Sequence, residues 1–355
     1  MRILRSIVCL GIVSLLCSSS IGAVSESGAV LLVANQGDRN LSIIDSVAGK
    51  QIAVVAEGGN TGHEVAASPD GRTAFVPIYG DSGVGKPGTD GRNMVVVDIS
   101  TRKVIGNVDF GHGVRPHCVI YVANHDDPSR DRLYVTTELD KSVTIVDPHS
   151  LKVVGSIPTT QAESHMLAIS HDGRRGYTAN VGPGTVSVLD MAARKTLAVI
   201  PISVTTQRIS ISNDDSMVFT ADQTQPRLAV IDTSSNKVKT WVALPAIGYG
   251  TASTVDGRWL LVALPSVGKV AVVDLHSQDP GTLKVVRTID VPKGPAEILM
   301  RPDGLVAYVS CPPSNQVAVI DLAQWKVQTL ITAGGYSDGL AWAGKPSAQP
   351  TSGKR

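Results

Sequence analysis

The sequence predicts an all-β fold: a seven-bladed β-propeller with four-stranded blades, whose ring is closed by the C-terminal strand joining the N-terminal blade. A short apolar strand that ends in Asp recurs seven times in the 355 residues, at intervals of 42 to 53 residues. This interval is the length of one four-stranded blade. Only 4% of the residues are aromatic, so Val, Ile, Leu and Ala must fill the core, and short β-branched runs favour strands.

The Asp-terminated strand is the third strand of each repeat. Its seven copies end at Asp45, Asp98, Asp147, Asp190, Asp232, Asp274 and Asp321. A second apolar strand precedes each copy, and in five repeats a first strand leads into a turn built on Asp, most often Asp-Gly. A fourth strand follows the Asp. Because the Asp recurs in every repeat, we assign it a turn or hydrogen-bonding role rather than a catalytic one.

The ends of the chain predict segments outside the propeller. Residues 1–23 read as a signal peptide, because two arginines precede an apolar run at 7–16 that is too short to span a bilayer. Residues 24–344 are predicted to form one propeller, and 345–355 a disordered tail with little to bury. We therefore expect a periplasmic or extracellular protein without a transmembrane segment.

Ring closure follows from the order of the strands. The chain begins with a strand of the second type at Val30 to Ala34 and ends with a lone strand of the first type at Gly339 to Trp342. These two strands are therefore expected to share a blade, which protects the sheet edges.

Two insertions interrupt the repeats. Gly80 to Asn93 lengthens a loop between a second and a third strand, so it is a candidate lid. Asn124 to Arg132 replaces the turn between a first and a second strand, so it should lie on the opposite face, here named the bottom. Its Asp126, Asp127 and Asp131 could bind calcium, but their spacing matches no loop motif and a solvated loop is the preferred interpretation.

Charge and cysteine content limit the classes of function. The net charge is +1, which gives no general basic face for nucleic acid. Cys118 and Cys311 fall two blades apart, so we expect two buried, unpaired thiols. The protein is expected to be a monomer.

The repeated strands and turns together resemble the YVTN-repeat β-propellers of secreted bacterial proteins, over about residues 28–343. The resemblance implies that the first strand of each blade lines the channel. It also implies that the loops leading into the first strands, and those between second and third strands, lie on one face, here named the top.

Candidate functional residues emerge when the first strands are aligned on their turns. The residues that open them at the top of the channel are His63, His117, His165, Gln207, Tyr249, Ala296 and Asp338. The next positions hold Glu64, Cys118, Met166, Arg208, Gly250, Glu297 and Gly339. Three consecutive blades thus present histidine to one axis, although the whole chain has only eight.

Three interpretations of this arrangement stay open. His63, His117 and His165 could bind a divalent transition metal, the one cofactor that the sequence suggests. The histidines could act as general bases without metal. The channel could instead be a ligand-binding or merely solvated one, with its ligand contacts drawn from His63, Glu64, Gln207, Tyr249, Glu297 and Asp338.

A second resemblance, to seven-bladed lactonases, rests on Pro116-His117, Glu138-Leu139 and Arg208. It implies a hydrolase or lyase with His117, His165, Arg208 and Glu138 as catalytic residues. The sequence favours a binding or interaction scaffold that takes a small molecule or a protein loop at the top mouth. A lactonase-like enzyme is the alternative.

Overall fold

The computed structural model describes residues 28–81, 83–276 and 283–344, and confirms the predicted seven-bladed β-propeller. In this part of the chain, 28 strands form seven antiparallel sheets of four strands, without an α-helix. The predicted signal peptide at 1–23 and tail at 345–355 lie outside the described residues.

Blade 1 joins the two ends of the described chain. From the channel outward it contains β28 (Ser337–Ala343), β1 (Val30–Asn35), β2 (Asn40–Asp45) and β3 (Lys50–Ala56). The pairing of β28 with β1 runs from Val30–Ala343 to Asn35–Ser337. The predicted closure of the ring by the C-terminal strand is therefore confirmed.

Blades 2 to 7 each contain four consecutive strands, ordered from the channel outward. Blade 2 contains β4 (Ala66–Ala67), β5 (Thr73–Gly80), β6 (Asp90–Asp98) and β7 (Lys103–Asp109). Blade 3 contains β8 (Pro116–Val122), β9 (Arg132–Thr137), β10 (Ser142–Asp147) and β11 (Lys152–Pro158). Blade 4 contains β12 (Ser164–Ile169), β13 (Arg175–Asn180), β14 (Thr185–Asp190) and β15 (Lys195–Pro201). Blade 5 contains β16 (Ile209–Ile211), β17 (Met217–Ala221), β18 (Arg227–Asp232) and β19 (Lys237–Ala243). Blade 6 contains β20 (Thr251–Ser253), β21 (Trp259–Leu264), β22 (Lys269–Asp274) and β23 (Val285–Asp290). Blade 7 contains β24 (Ile298–Met300), β25 (Val306–Cys311), β26 (Gln316–Asp321) and β27 (Lys326–Thr332).

The core lies between neighbouring blades. Leu32 and Ile43 of blade 1, for example, share one buried cluster with Val76 and Val97 of blade 2. The second and third strands are buried on both faces, whereas the fourth strands are largely exposed. A single blade cannot bury both of its faces alone, so each blade is stabilised by its two neighbours.

The repeated Asp residues terminate the third strands as predicted. Asp45 Oδ1 accepts hydrogen bonds from the backbone N–H groups of Val47 and Ala48, at 2.9 and 2.8 Å. Each of the other six accepts at least one backbone N–H from two or three residues further on. These carboxylates hold turns, which confirms their structural role.

The structure also locates the two cysteines and the acidic loop that the sequence analysis singled out. Cys118 and Cys311 are both buried and free, as expected. In the bottom loop, Asp131 accepts hydrogen bonds from the Tyr121 hydroxyl and the Asn124 backbone N–H, both at 2.7 Å, so its oxygens are engaged by the protein. The described part of the chain contains no helix that could span a lipid bilayer.

Ring closure makes a testable contribution to stability. Leu340 of β28 is 3% exposed and belongs to a cluster with Leu31 and Val33, so Leu340→Ala should lower the free energy of unfolding by about 2–5 kcal/mol. Leu330→Ala on the outer strand β27, where the side chain is 46% exposed, is the control and should cost less than about 1 kcal/mol. Urea denaturation measures both; equal losses would contradict the closure argument.

Candidate functional site

Strand register confirms the alignment on which the site prediction depends. In six blades, the residue two positions after the predicted mouth residue pairs with the equivalent residue of the second strand: Leu340–Val33, Val119–Val135, Leu167–Thr178, Ile209–Thr220, Thr251–Val262 and Ile298–Val309. In blade 2, His63 follows Gly62, which forms a bridge with Ile78. His117 therefore occupies the same position as the others, although its blade lacks the Asp-Gly turn.

Arg208 crosses the channel from blade 5 and is 4% exposed. Its Nη1 donates to Glu64 Oε1 of blade 2 at 2.6 Å, and its Nη2 donates to Asp338 Oδ1 of blade 1 at 3.1 Å. The Tyr249 ring of blade 6 lies 5.2 Å from the guanidinium carbon. Arg208 Nε is buried without a partner in the described structure.

Glu297 of blade 7 adds a third carboxyl group to this cluster. Burial raises the pKa of Glu64 to about 7, although Arg208 opposes the shift. Burial and the neighbouring Glu64 raise the pKa of Glu297 well above its ordinary value. Both pKa shifts favour the protonated form of this carboxyl pair near neutral pH. The single Arg208 guanidinium thus faces three carboxyl groups that are not all ionised together.

The three histidines come together at the mouth. The ring centroids of His63 and His117 are 5.2 Å apart, and those of His117 and His165 are 3.6 Å apart. Burial lowers the pKa of His63 to about 4 and the pKa values of His117 and His165 well below 6.5, so all three are neutral at neutral pH. The Nδ1 atoms of His117 and His165 are buried without a partner in the described structure.

The orientation of these rings does not suit the predicted metal. The His117 and His165 rings are close and only 33° from parallel, whereas ligands of one ion direct their nitrogens at a common point. Within residues 28–81, 83–276 and 283–344, no group of three or more His, Cys, Asp or Glu side chains is arranged to hold a metal ion. We therefore derive no metal chemistry from His63, His117 and His165.

The Gly80 to Asn93 segment lies at the top, where it was predicted. Arg115 holds it: its Nε donates to Asp90 Oδ1 and its Nη2 to the Lys86 carbonyl oxygen, both at 2.7 Å. Glu138 accepts hydrogen bonds from the Tyr79 hydroxyl and, at 3.3 Å, from the Gly85 N–H. Arg115 precedes β8 and Glu138 follows β9, so the segment is fixed to the mouth of blade 3.

The four predicted catalytic residues do not form one group. His117 and His165 are in contact, at 2% and 3% exposure. Arg208 is engaged by Glu64 and Asp338, whereas Glu138 is engaged by Tyr79, Gly85 and Arg115. Glu138 thus positions the loop, and Arg208 holds the centre of the channel.

Sequence reasoning missed Tyr79, Arg115 and Gln36. The Tyr79 ring lies 4.8 to 6.2 Å from the centroids of all three histidines. The Gln36 amide nitrogen lies 2.6 Å from His63 Nε2, and because an amide nitrogen only donates, His63 Nε2 accepts. Tyr79 is the penultimate residue of the second strand β5, Gln36 directly follows the second strand β1, and Arg115 directly precedes the first strand β8. Their place in the repeat, at the strand ends that face the top of the channel, is the sequence signal that could have identified them.

A left-handed backbone conformation recurs just before the first strands of four blades. In four consecutive blades, the residue two positions before the mouth residue has a positive φ, between 43° and 55°: Thr61, Arg115, Glu163 and Tyr336. None is Gly, and the left-handed region is unfavourable for a β-branched or aromatic residue. Such strain concentrates at functional sites.

Two cavities open at the mouth and share Tyr336. The apolar pocket, of about 450 Å³, is lined by residues of blades 5 to 7 and blade 1 that include Tyr249, Pro265, Pro295, Pro313, Tyr336 and Asp338. The polar pocket, of about 380 Å³, is lined by Gln36, Gly37, Arg39, Thr61, His63, Gly80, Asp81 and Tyr336. His63, Tyr249 and Asp338 of the predicted ligand-binding set therefore line a cavity.

Comparisons with solved structures find the same fold. Hydrazine synthase of Kuenenia stuttgartiensis is 20% identical, with a TM-score of 0.68 over 84% of this chain and 94% of that one. The periplasmic gluconolactonase PpgL of Pseudomonas aeruginosa is 18% identical, with a TM-score of 0.70 over 90% and 99%. A functionally unknown protein from Desulfotomaculum acetoxidans is 15% identical, with a TM-score of 0.72 over 89% and 99%. No family model and no curated protein matches the sequence.

Hydrogen–deuterium exchange tests whether Arg115 holds the Gly80 to Asn93 segment in place. In Arg115→Met the Asp90 and Lys86 contacts are lost, so backbone amides of residues 83–90 should exchange with deuterium at least about tenfold faster. Arg92→Met is the control, because Arg92 belongs to the same segment but bonds the exposed Asp109. Equal exchange in both variants would show that Arg115 does not hold the segment.

Proposed function

We propose that this chain is a secreted small-molecule-binding propeller whose site is the top mouth of its channel. The observation that carries the proposal is a set of three buried polar atoms without a protein partner: His117 Nδ1, His165 Nδ1 and Arg208 Nε. A buried polar atom left unpaired costs about 1–3 kcal/mol, so such atoms are rare in folded proteins. A bound molecule that hydrogen-bonds to them would offset this cost.

The cavities support a small ligand rather than a protein loop. The two pockets, of about 450 and 380 Å³, fall in the range of roughly 300–1,000 Å³ that small-molecule sites occupy.

The proposed location is the periplasm or the cell exterior. The amino-terminal residues 1–23 have the pattern of a signal peptide. The likeness to a periplasmic gluconolactonase supports the same compartment. The resemblance of the repeats to secreted YVTN propellers is a further argument for it.

Ligand screening tests the proposal. Metabolites that raise the melting temperature of the mature protein should bind at least about tenfold more weakly to Tyr336→Ala, because Tyr336 lines both pockets. Leu305→Ala is the control, since Leu305 follows a bottom turn and is about as exposed as Tyr336, at 50% against 47%. If both variants bind every hit like the wild type, the mouth is not the site.

Lactone hydrolysis is a second candidate, favoured by the neutral pair of His117 and His165. A neutral imidazole can accept a proton from a water molecule that attacks the lactone carbonyl, and burial keeps both imidazoles neutral. The resemblance to lactonases and the likeness to a gluconolactonase support this chemistry.

A kinetic assay distinguishes the second candidate from the first. If the pair is catalytic, the wild type should hydrolyse glucono-δ-lactone at least about 100-fold faster than His117→Asn, because general-base catalysis contributes about 10²–10⁴-fold. His112→Asn is the control, since His112 is exposed and hydrogen-bonded to Asp140. Equal rates in wild type and His117→Asn would exclude a catalytic role for the pair.

A further inference from the structure

The apolar pocket combines hydrophobic walls with a single charged group. Tyr249, Tyr336 and several prolines form its walls, and among its lining residues, all in the described chain, only Asp338 carries a charge. The neighbouring Gln223 uses its amide nitrogen on the Gly248 carbonyl, at 2.8 Å. The Asp338 carboxylate is therefore the group that decides which head group a ligand can place there.

Asp338 is only half engaged by the protein. Its Oδ1 accepts from Arg208 Nη2, whereas Oδ2 receives no hydrogen bond from the described residues. Arg208 is shared with Glu64, and Glu297 stands beside it, so one guanidinium faces three carboxyl groups. A cation that enters the pocket would be attracted to the free side of the Asp338 carboxylate, and an anion would be repelled by it.

We propose that the apolar pocket binds primary amines that carry an aromatic or aliphatic body, with the ammonium group on Asp338. This inference rests on the proposed function, because it names the ligand class of the same mouth. The ammonium group offers three donors, and a hydrogen bond between two ionised groups is about twice as strong as a neutral one. The aromatic or aliphatic body of the amine packs against the prolines of the pocket. The Tyr336 ring lines the same cavity as Asp338, and an aromatic ring attracts a nearby ammonium group.

The arrangement disfavours the two obvious alternatives. A carboxylate ligand would need a cation in the apolar pocket, but Arg208 does not line this pocket and both of its Nη groups are bonded to Glu64 and Asp338. A neutral alcohol could donate one hydrogen bond to Asp338 Oδ2, but it would leave the negative charge unbalanced. Charge alone therefore predicts that the amine binds most tightly, the alcohol less tightly and the carboxylate most weakly.

Three ligands with one body and different head groups test this order. Isothermal titration of the mature protein at pH 7 and low salt would compare 2-phenylethylamine, 2-phenylethanol and 3-phenylpropanoate. The amine should bind at least about tenfold more tightly than the alcohol, and the carboxylate more weakly than both. In Asp338→Asn, the preference for amine over alcohol should fall below about threefold. In Asp303→Asn, a control at a bottom turn, the preference should stay.

Each result decides the inference. An alcohol or carboxylate that binds as tightly as the amine would overturn it, as would an amine preference that survives in Asp338→Asn. If Asp338→Asn fails to fold, the test is the ratio of amine affinity to alcohol affinity in the wild-type protein. If none of the three binds while other ligands show Tyr336-dependent binding, the amine class is wrong and mouth binding stands. If no ligand of any class binds, the proposed function fails as well.

Discussion

The buried Arg208 guanidinium is the charge on which the arrangement of the channel mouth depends. An unpaired charge in such a place would be strongly destabilising, so Arg208 requires carboxylates from other blades. Glu64 and Asp338 supply them across the channel, which joins blade 5 to blades 2 and 1. Burial is the main cause that raises the pKa of Glu64 and lowers the pKa values of His117 and His165, and the Arg208 charge opposes the first shift and adds to the other two.

A second buried arginine organises the rim as Arg208 organises the centre. Arg115 is 5% exposed and bonds Asp90, the Lys86 carbonyl and Glu138. Through these contacts the Gly80 to Asn93 segment is fixed to blade 3, which also carries His117. The mouth is consequently asymmetric. Blades 2 to 4 carry the histidines and the loop, whereas blades 5 to 7 leave the apolar pocket open.

The fold could be predicted from the sequence because every repeat makes the same local choices. Each Asp at the end of a third strand holds a turn, and the spacing of these residues fixes the length of a blade, the position of each first strand and the closing partner of the last one. The residues that open the first strands followed from the same alignment. Their contacts did not, because the close approach of the His117 and His165 rings, and the engagement of Glu138 by Tyr79, depend on side chains from neighbouring blades. The positive φ of Thr61 and Tyr336 has no signal in those residue types, because β-branched and aromatic residues rarely adopt it.

The asymmetry also decides how a ligand could reach the histidines. His117 and His165 are almost fully buried, whereas His63 is half-buried and lines the polar pocket. His63 and its partner Gln36 are therefore the residues of the histidine site that border an open cavity. The apolar pocket shares Tyr336 with the polar pocket and is lined by Asp338. A ligand that fills both pockets would contact Tyr336 as well as Asp338 and His63, and would so join the Arg208 cluster to the histidine site.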